Sequence, residues 1–294
     1  MSRELTVATL NLWGLNAPAD YTARRGEVRG ALPGSPATTM QPPGGAWSAR
    51  RRRLAADALR RSGAAVIGLQ EDHQDLAGSA HRSQSEQLAA DLGLDAVHIT
   101  TVRESGVPKG NAILSRSPIL RTERLPLPAG EGEEERFGPG ARDALYAAVD
   151  TPIGLVHFLV VHFTTRGQQQ QLEEATRLLE YVERLASDGT AIVVGDLNAK
   201  PTSPTLSLLT RPTALHELRL RDAWAEANPE DPGFTMPIHS PRTAQDTHMR
   251  IDYVLVGPGP EVTRAFLAAD VPDPDGFYAS DHFGVAATLR RASD

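Results

Sequence analysis

The chain has 294 residues, 40% of them apolar and 23% charged, an ordinary globular composition with enough apolar mass for a sizeable core. A formal net charge of −7 argues against the broad basic face that grips long duplex nucleic acid, although local cleavage of nucleic acid stays open. There is no cysteine, which excludes disulfides and thiolate zinc sites.

No signal peptide is recognisable, and no apolar run approaches the ~20 residues that span a bilayer. The expectation is a soluble, cytoplasmic monomer without membrane insertion, built as a single domain over residues 1–294.

Leu5 to Leu10 reads as a strand with Asn11 at its end. Residues 17–46, rich in Pro and Gly and without periodicity, read as a long loop insertion, the kind of excursion that forms a lid. Trp47 to Arg61 reads as a helix stopped by Ser62-Gly63. Its Arg50 to Arg53 run reads first as a solvated helix face, with a phosphate-facing patch as the functional alternative. Ala65 to Leu69 is a buried strand leading into Gln70-Glu71, and Ser85 to Leu92 a helix. Strands follow at Ala96 to Val102, Asn111 to Leu114, Arg142 to Asp150 and Leu155 to Phe163. The clearest helix is Gln169 to Ala186, where Leu172, Ala175, Leu179 and Val182 share a face. Strands at Ala191 to Val194, Tyr253 to Val256 and Phe283 to Leu289 complete the reading, with Pro201 to Pro212 and Pro237 to Met249 as loops. Strands that follow one another directly predict an α/β fold of mixed, packed sheets and not a doubly wound parallel sheet.

Polar residues collect at strand ends. Asn11, Glu71, His162 and Asp196 close strands, whereas Asp252 and Asp281-His282 open them. If the late strands run antiparallel to the earlier ones, all of these meet at one rim. Carboxylate and amide oxygens suit a hard cation such as Mg²⁺ or Mn²⁺, and histidines move protons near neutral pH. The only two lysines, Lys109 and Lys200, each lie two residues from an asparagine, Asn111 and Asn198, and are candidates to touch a substrate phosphate. His157 lies five residues before His162, which puts it on the opposite face of a regular strand as a core or surface histidine. His73, His239 and His248 are candidates for the rim.

Several segments resemble the motifs of the endonuclease/exonuclease/phosphatase superfamily. They are Thr9-Leu10-Asn11-Leu12-Trp13-Gly14, Gly68-Leu69-Gln70-Glu71, Gly110-Asn111-Ala112-Ile113-Leu114-Ser115, Val161-His162-Phe163, Gly195-Asp196-Leu197-Asn198, Arg250-Ile251-Asp252-Tyr253-Val254 and Ser280-Asp281-His282-Phe283. The resemblance runs from residue 5 to residue 289. It implies a DNase I-like four-layer αββα sandwich, two mixed β-sheets flanked by helices.

The resemblance also implies roles. Glu71 is the principal metal ligand, with Asn11 and Asp281 beside it. Asp196 and Asn198 position water and phosphate, Asp252 orients His282 for proton transfer, and His162 bonds a phosphate oxygen. Asn111, Lys109 and Arg142 are substrate-binding candidates. The expected activity is metal-dependent phosphoester hydrolysis, sphingomyelinase-like or DNase I-like. Its substrate would be a small molecule or a short nucleic acid. The rival expectations are a nuclease for short or single-stranded nucleic acid and a non-catalytic binding module of the same fold.

Overall fold

The computed structural model describes residues 4–14, 23–24, 27–28, 49–74, 82–104, 107–130, 142–185, 188–212, 218–236 and 248–291. Most of the 17–46 insertion lies outside them; within it stand two short antiparallel strands, β2 (Ala23–Arg24) and β3 (Glu27–Val28). The acidic segment 131–140 and His239 also lie outside the described residues.

Two six-stranded sheets form the centre. The first has the order β13 (Glu261–Ala268), β14 (Gly284–Arg290), β1 (Glu4–Asn11), β4 (Val66–His73), β6 (Val107–Ser115) and β5 (Asp95–Glu104). The second has the order β11 (Arg221–Asp222), β12 (Asp252–Val256), β10 (Thr190–Asp196), β9 (Gly154–His162), β8 (Ala144–Thr151) and β7 (Ile119–Leu125). Both are mixed: β1 with β4 and β9 with β10 are parallel, and their other neighbours are antiparallel.

The strands alternate as a two-residue period demands. Val7, Val66, Phe158, Val160, Ile192 and Val254 fill the space between the sheets. Ala8, Leu10, Ile67 and Leu69 face outward from the first sheet, onto α1 (Ala49–Ser62) and α2 (Gln84–Leu92). Leu159, Val161, Ala191 and Val193 face outward from the second, onto α3 (Gln168–Leu185). Burying each large apolar side chain stabilises by roughly 1.5–3 kcal/mol. Gly68 sets the sheet spacing, since a Cβ there would lie 2.4 Å from Val194 Cγ2 and 2.8 Å from Val160 Cγ2. The result is the αββα sandwich. No helix among the described residues is long and apolar enough to cross a membrane.

The structure corrects some expectations. Pro201 to Pro212 is not all loop, because α4 (Pro204–Thr210) forms there. Pro204 takes the first turn, where its missing N–H costs nothing, and Ser203 caps it by accepting from Leu206 N. Leu206 and Leu209 then pack on the second sheet. A further short helix, α5 (Ala223–Ala227), starts at the cap Asp222 and brings Trp224 to the inner core. β7 and β13 were not expected. Both are edge strands, and half-exposed edges carry weak apolar alternation.

Candidate active site

The alternation that builds the inner core also builds the site. Val7, Val160, Val194 and Val254 point between the sheets, so Asn11, His162, Asp196 and Asp252 keep the same parity on their own strands. Pairing sets them side by side: Asp196 faces His162 across the parallel β9–β10 pair and Asp252 across the antiparallel β10–β12 pair.

Glu71 has the wrong parity and is re-aimed by a bulge. Gln70 and Glu71 together oppose Asn111, between the pairs Leu69–Ala112 and Asp72–Gly110. Glu71 itself has φ of 56°, a left-handed backbone costly for a side chain of this size and a hallmark of functional positions. Asn198 is likewise left-handed, at 47°. Gly195 has φ of 144°, and a Cβ there would lie 2.0 Å from Val161 O, so the turn into Asp196 requires glycine.

Asp196, almost fully buried, is the hub. Its Oδ2 accepts from Asn11 Nδ2 at 3.1 Å and lies 3.5 Å from His162 Nε2 and 4.0 Å from His282 Nε2. Its Oδ1 accepts from Asn198 N at 2.9 Å. The Asn198 side chain donates to Phe163 O at 2.9 Å. Asn11 Oδ1 accepts from Trp13 N at 2.9 Å. His282 Nδ1 bonds Asp252 Oδ2 at 2.9 Å, and Asp252 Oδ1 is buried with no hydrogen-bond partner. Lys109 Nζ pairs with Glu71 Oε1 at 3.1 Å. The Arg142 guanidinium donates to His162 O at 3.5 Å, at the edge of the cluster. Asn111 is buried and donates to Asp143 O at 3.2 Å, a bond that ties the two sheets together. Lys200 is exposed.

Burial and neighbours pull the titrating groups apart. Burial alone raises Glu71, but the charges of Lys109, His162 and His73 outweigh it and bring the carboxyl down to about 2. Burial pushes Asp281 up to about 6 against the pull of His282, and the like charge of Glu71 adds to the rise. Asp196 is raised by burial and by Asp252. Burial lowers His162 below its ordinary value despite Asp196 and Glu71. Burial also opposes charge on His282, yet Asp252, Asp196 and Asp281 together hold it well above the ordinary histidine value.

Three further histidines among the described residues make contacts within the scaffold. His157 faces outward and links Tyr146 Oη to Asp188, each at 2.9 Å. His73 is buried with Nδ1 3.0 Å from Glu71 O. His248 packs against Phe234 with ring centres 5.5 Å apart.

Two supporting residues were not legible beforehand. Thr235 is fully buried, and its Oγ1 accepts from Ile251 N and Asp252 N at 3.1 and 3.2 Å while its carbonyl accepts from Phe283 N at 2.6 Å. It joins the Asp252 and His282 segments, and it belongs to none of the motifs. Arg51 is buried and donates to Leu12 O, to Gly14 O at 3.1 Å and to Ala279 O at 3.0 Å, clamping the segments that carry Asn11 and Asp281. The arginine run is therefore no uniform solvated face. Arg50 pairs with Asp273 and Asp275, and Arg52 pairs with Asp91.

A cavity of about 340 Å³, lined by Gly154, Asp188, Thr190, Gly259 and Arg291 among others, opens at the opposite end of the strands and includes none of these site residues.

A model of the endonuclease/exonuclease/phosphatase family matches residues 8–282. A comparison with curated proteins found no match. Among solved structures, the chain is similar to an endonuclease/exonuclease/phosphatase from Beutenbergia cavernae, with 24% identity and a TM-score of 0.68 over 99% of this chain and 72% of that one. It is similar to a humanized D. rerio TDP2, with 16% identity and a TM-score of 0.68 over 98% of this chain and 100% of that one. A mannosyl-6-phosphatase from Bacteroides thetaiotaomicron aligns at 19% identity and a TM-score of 0.62, over 97% of this chain and 99% of that one. At these identities the structural likeness speaks for the fold alone.

Proposed function

Because the chain belongs to the endonuclease/exonuclease/phosphatase family, we propose that it is a divalent-metal-dependent hydrolase that cleaves a phosphoester bond by in-line attack of water. The observation that carries the reading is the convergence on Asp196 of polar residues drawn from residue 11 to residue 282, in a core otherwise lined by valine and leucine. A polar cluster of this size in such surroundings costs stability, and groups perturbed in this way concentrate at functional sites.

The donor set fits Mg²⁺ or Mn²⁺. Asn11, Glu71 and Asp281 offer hard oxygen atoms and no sulfur. Glu71 and Asp281 also act on each other as like charges in a buried setting, which a dication relieves. Asp196, Asp252 and His282 form a second group with ligand atoms within 4.8 Å of one another. His282, held by Asp252 and kept protonated by the carboxylates around it, is a poor ligand, so we assign the ion to Glu71 and Asp281. Bound there, a divalent ion would supply Lewis-acid polarisation of a phosphoryl oxygen and offset developing negative charge.

The protein groups divide the proton work. Asp196, its carboxyl raised by burial, accepts the proton of the attacking water, which Asn198 helps to place. His282 is protonated, oriented through Nδ1 by Asp252, and presents Nε2 toward Asp196 and the phosphate as a donor. His162 is neutral near pH 7 and offers an N–H to a phosphoryl oxygen. Arg142 and Lys109 add positive charge at the edge, and Asn111 holds that edge in place. No covalent enzyme intermediate is required.

We read the substrate as a small phosphoester or a short nucleic acid. Arg50 and Arg52 spend their charge on Asp273, Asp275 and Asp91, which leaves little for a duplex backbone. The test is a panel of nucleotides, oligonucleotides, sugar phosphates, inositol phosphates and choline phospholipids, with Mg²⁺ or Mn²⁺ and with chelator. We expect chelator-sensitive hydrolysis of at least one class, abolished in Glu71→Gln. Metal-independent turnover, or full activity of Glu71→Gln, refutes the reading. Anomalous scattering from a Mn²⁺-soaked crystal should place the ion beside Glu71 and Asp281; a peak between Asp196 and Asp252 overturns the ligand assignment.

A further inference from the structure

The pair formed by Lys109 and Glu71 stands apart from the other cations near the site. Lys109 lies on β6 opposite His73, just past the bulge that re-aims Glu71. Its neighbour Gly110 lets the β5 and β6 backbones close up, since a Cβ there would lie 1.7 Å from Ile99 O. Lys109 Nζ and Glu71 Oε1 meet at 3.1 Å, with side chains only 15% and 18% exposed.

Arg51 is a different kind of cation. Its planar fork is spent on three backbone carbonyls and cannot leave them without breaking the clamp. Lysine carries a compact charge on a flexible stem and can swing between partners. A largely buried carboxylate must be countered by positive charge or hydrogen bonds, or else take up a proton. Glu71 shares its neighbourhood with Asp281, so that need is acute when no divalent ion is present.

We propose that Lys109 is the resident counter-cation of the metal site: its ammonium holds Glu71 when no divalent ion is bound and yields the carboxylate when one is, so that it sets the metal concentration at which the site fills. This rests on the assignment of Glu71 as a metal ligand in the proposed function. The exchange is electrostatic and breaks no covalent bond. A divalent ion held by Glu71 would compete with the ammonium for the carboxylate, and the charge of Lys109 also reaches His162.

The test uses the full-length protein stripped of metal, titrated calorimetrically with MgCl₂ and MnCl₂ and melted with and without each salt. Removing a unit positive charge beside a divalent ion is worth at least about tenfold in affinity at this range, even with strong screening. Lys109→Met should therefore bind metal at least about tenfold more tightly, melt lower when metal-free, and gain more on adding metal. Lys109→Arg keeps the charge and should stay within about threefold of the wild-type affinity. Lys109→Gln removes the charge while keeping a donor to Glu71, and serves should the methionine variant not fold. If the uncharged variants bind metal no more tightly than wild type, Lys109 is not the counter-cation, although the phosphoesterase reading stands. If wild type shows no metal binding that Glu71→Gln abolishes, the metal-site reading itself fails, and the proposal with it.

Discussion

Neutralising Asp252 should uncouple His282 from its charge and its orientation together. In Asp252→Asn the 2.9 Å bond to His282 Nδ1 loses its ionic component. Two unit charges about 4 Å apart interact by about 4 kcal/mol at an effective dielectric near 20. We take half of this, ~2 kcal/mol, because the surroundings relax around the amide. At about 1.4 kcal/mol per unit, the His282 pKa should fall by 1–2 units. Asp196 and Asp281 remain to hold part of the elevation. The direct assay is the NMR titration of the His282 ring in metal-free protein. Wild type should titrate above 6.5 and the variant lower. In turnover, the form that donates is protonated His282, so the wild-type rate should fall on the alkaline side. A limb at neutrality, the expectation for a lone histidine, is displaced upward by three facing carboxylates. Asp252→Asn should bring that limb to lower pH and reduce kcat by roughly 10²–10⁴-fold, with KM much less affected. The double variant with His282→Ala should lose little more than the worse single one. Stability carries the same sign. A histidine raised in the folded state stabilises fully below its unfolded pKa of ~6.5, and that contribution is lost as pH rises through the folded value. The melting gap between wild type and Asp252→Asn should therefore be widest below that value and narrow in alkali. If His282 titrates at or below its ordinary value in wild type and Asp252→Asn leaves it unmoved, the reasoning is wrong.

Other outcomes follow from the same geometry. Arg51→Met strands the carbonyls of Leu12, Gly14 and Ala279; bonds from a charged donor are worth roughly 1.5–3 kcal/mol each. Chemical denaturation should show a loss of at least ~3 kcal/mol, and Arg51→Lys should recover only part because it lacks the fork; a neutral effect would dismiss the clamp. Gly195→Ala places a Cβ 2.0 Å from Val161 O at a φ of 144°, so it should either fail to fold or melt far below wild type. Wild-type melting of that variant would show that the turn before Asp196 relaxes freely.

The polar residues that converge around Asp196 were legible in type and order because strand ends carry their own signals. Asn11 closes an apolar run, Gly195-Asp196 closes another, and Asp252 opens a third. The period-two alternation that makes Val194 an inner residue makes Asp196 one as well. His157 could be set aside by the same parity. Glu71 is the exception. Its parity points outward, and only the bulge opposite Asn111 and a left-handed backbone bring it to the rim. Motif likeness named it, but alternation could not have aimed it.

What the sequence determined by itself was the set of strands and the polar residues at their ends, because apolar period and turn chemistry are local properties. Tertiary structure decided what those residues touch. Arg51 reads as one member of a solvated arginine run until packing seals it beneath two loops, and Thr235 has no signature at all until two distant segments close over it. α4 was hidden for a related reason: prolines read as breakers, whereas here Pro204 starts a helix whose leucines pay off only against the second sheet. Lys109 and Glu71 lie 38 residues apart in sequence yet 3.1 Å apart in space, and no local pattern encodes that distance. Contacts between segments far apart in the chain depend on sheet order and register, which the whole fold sets at once.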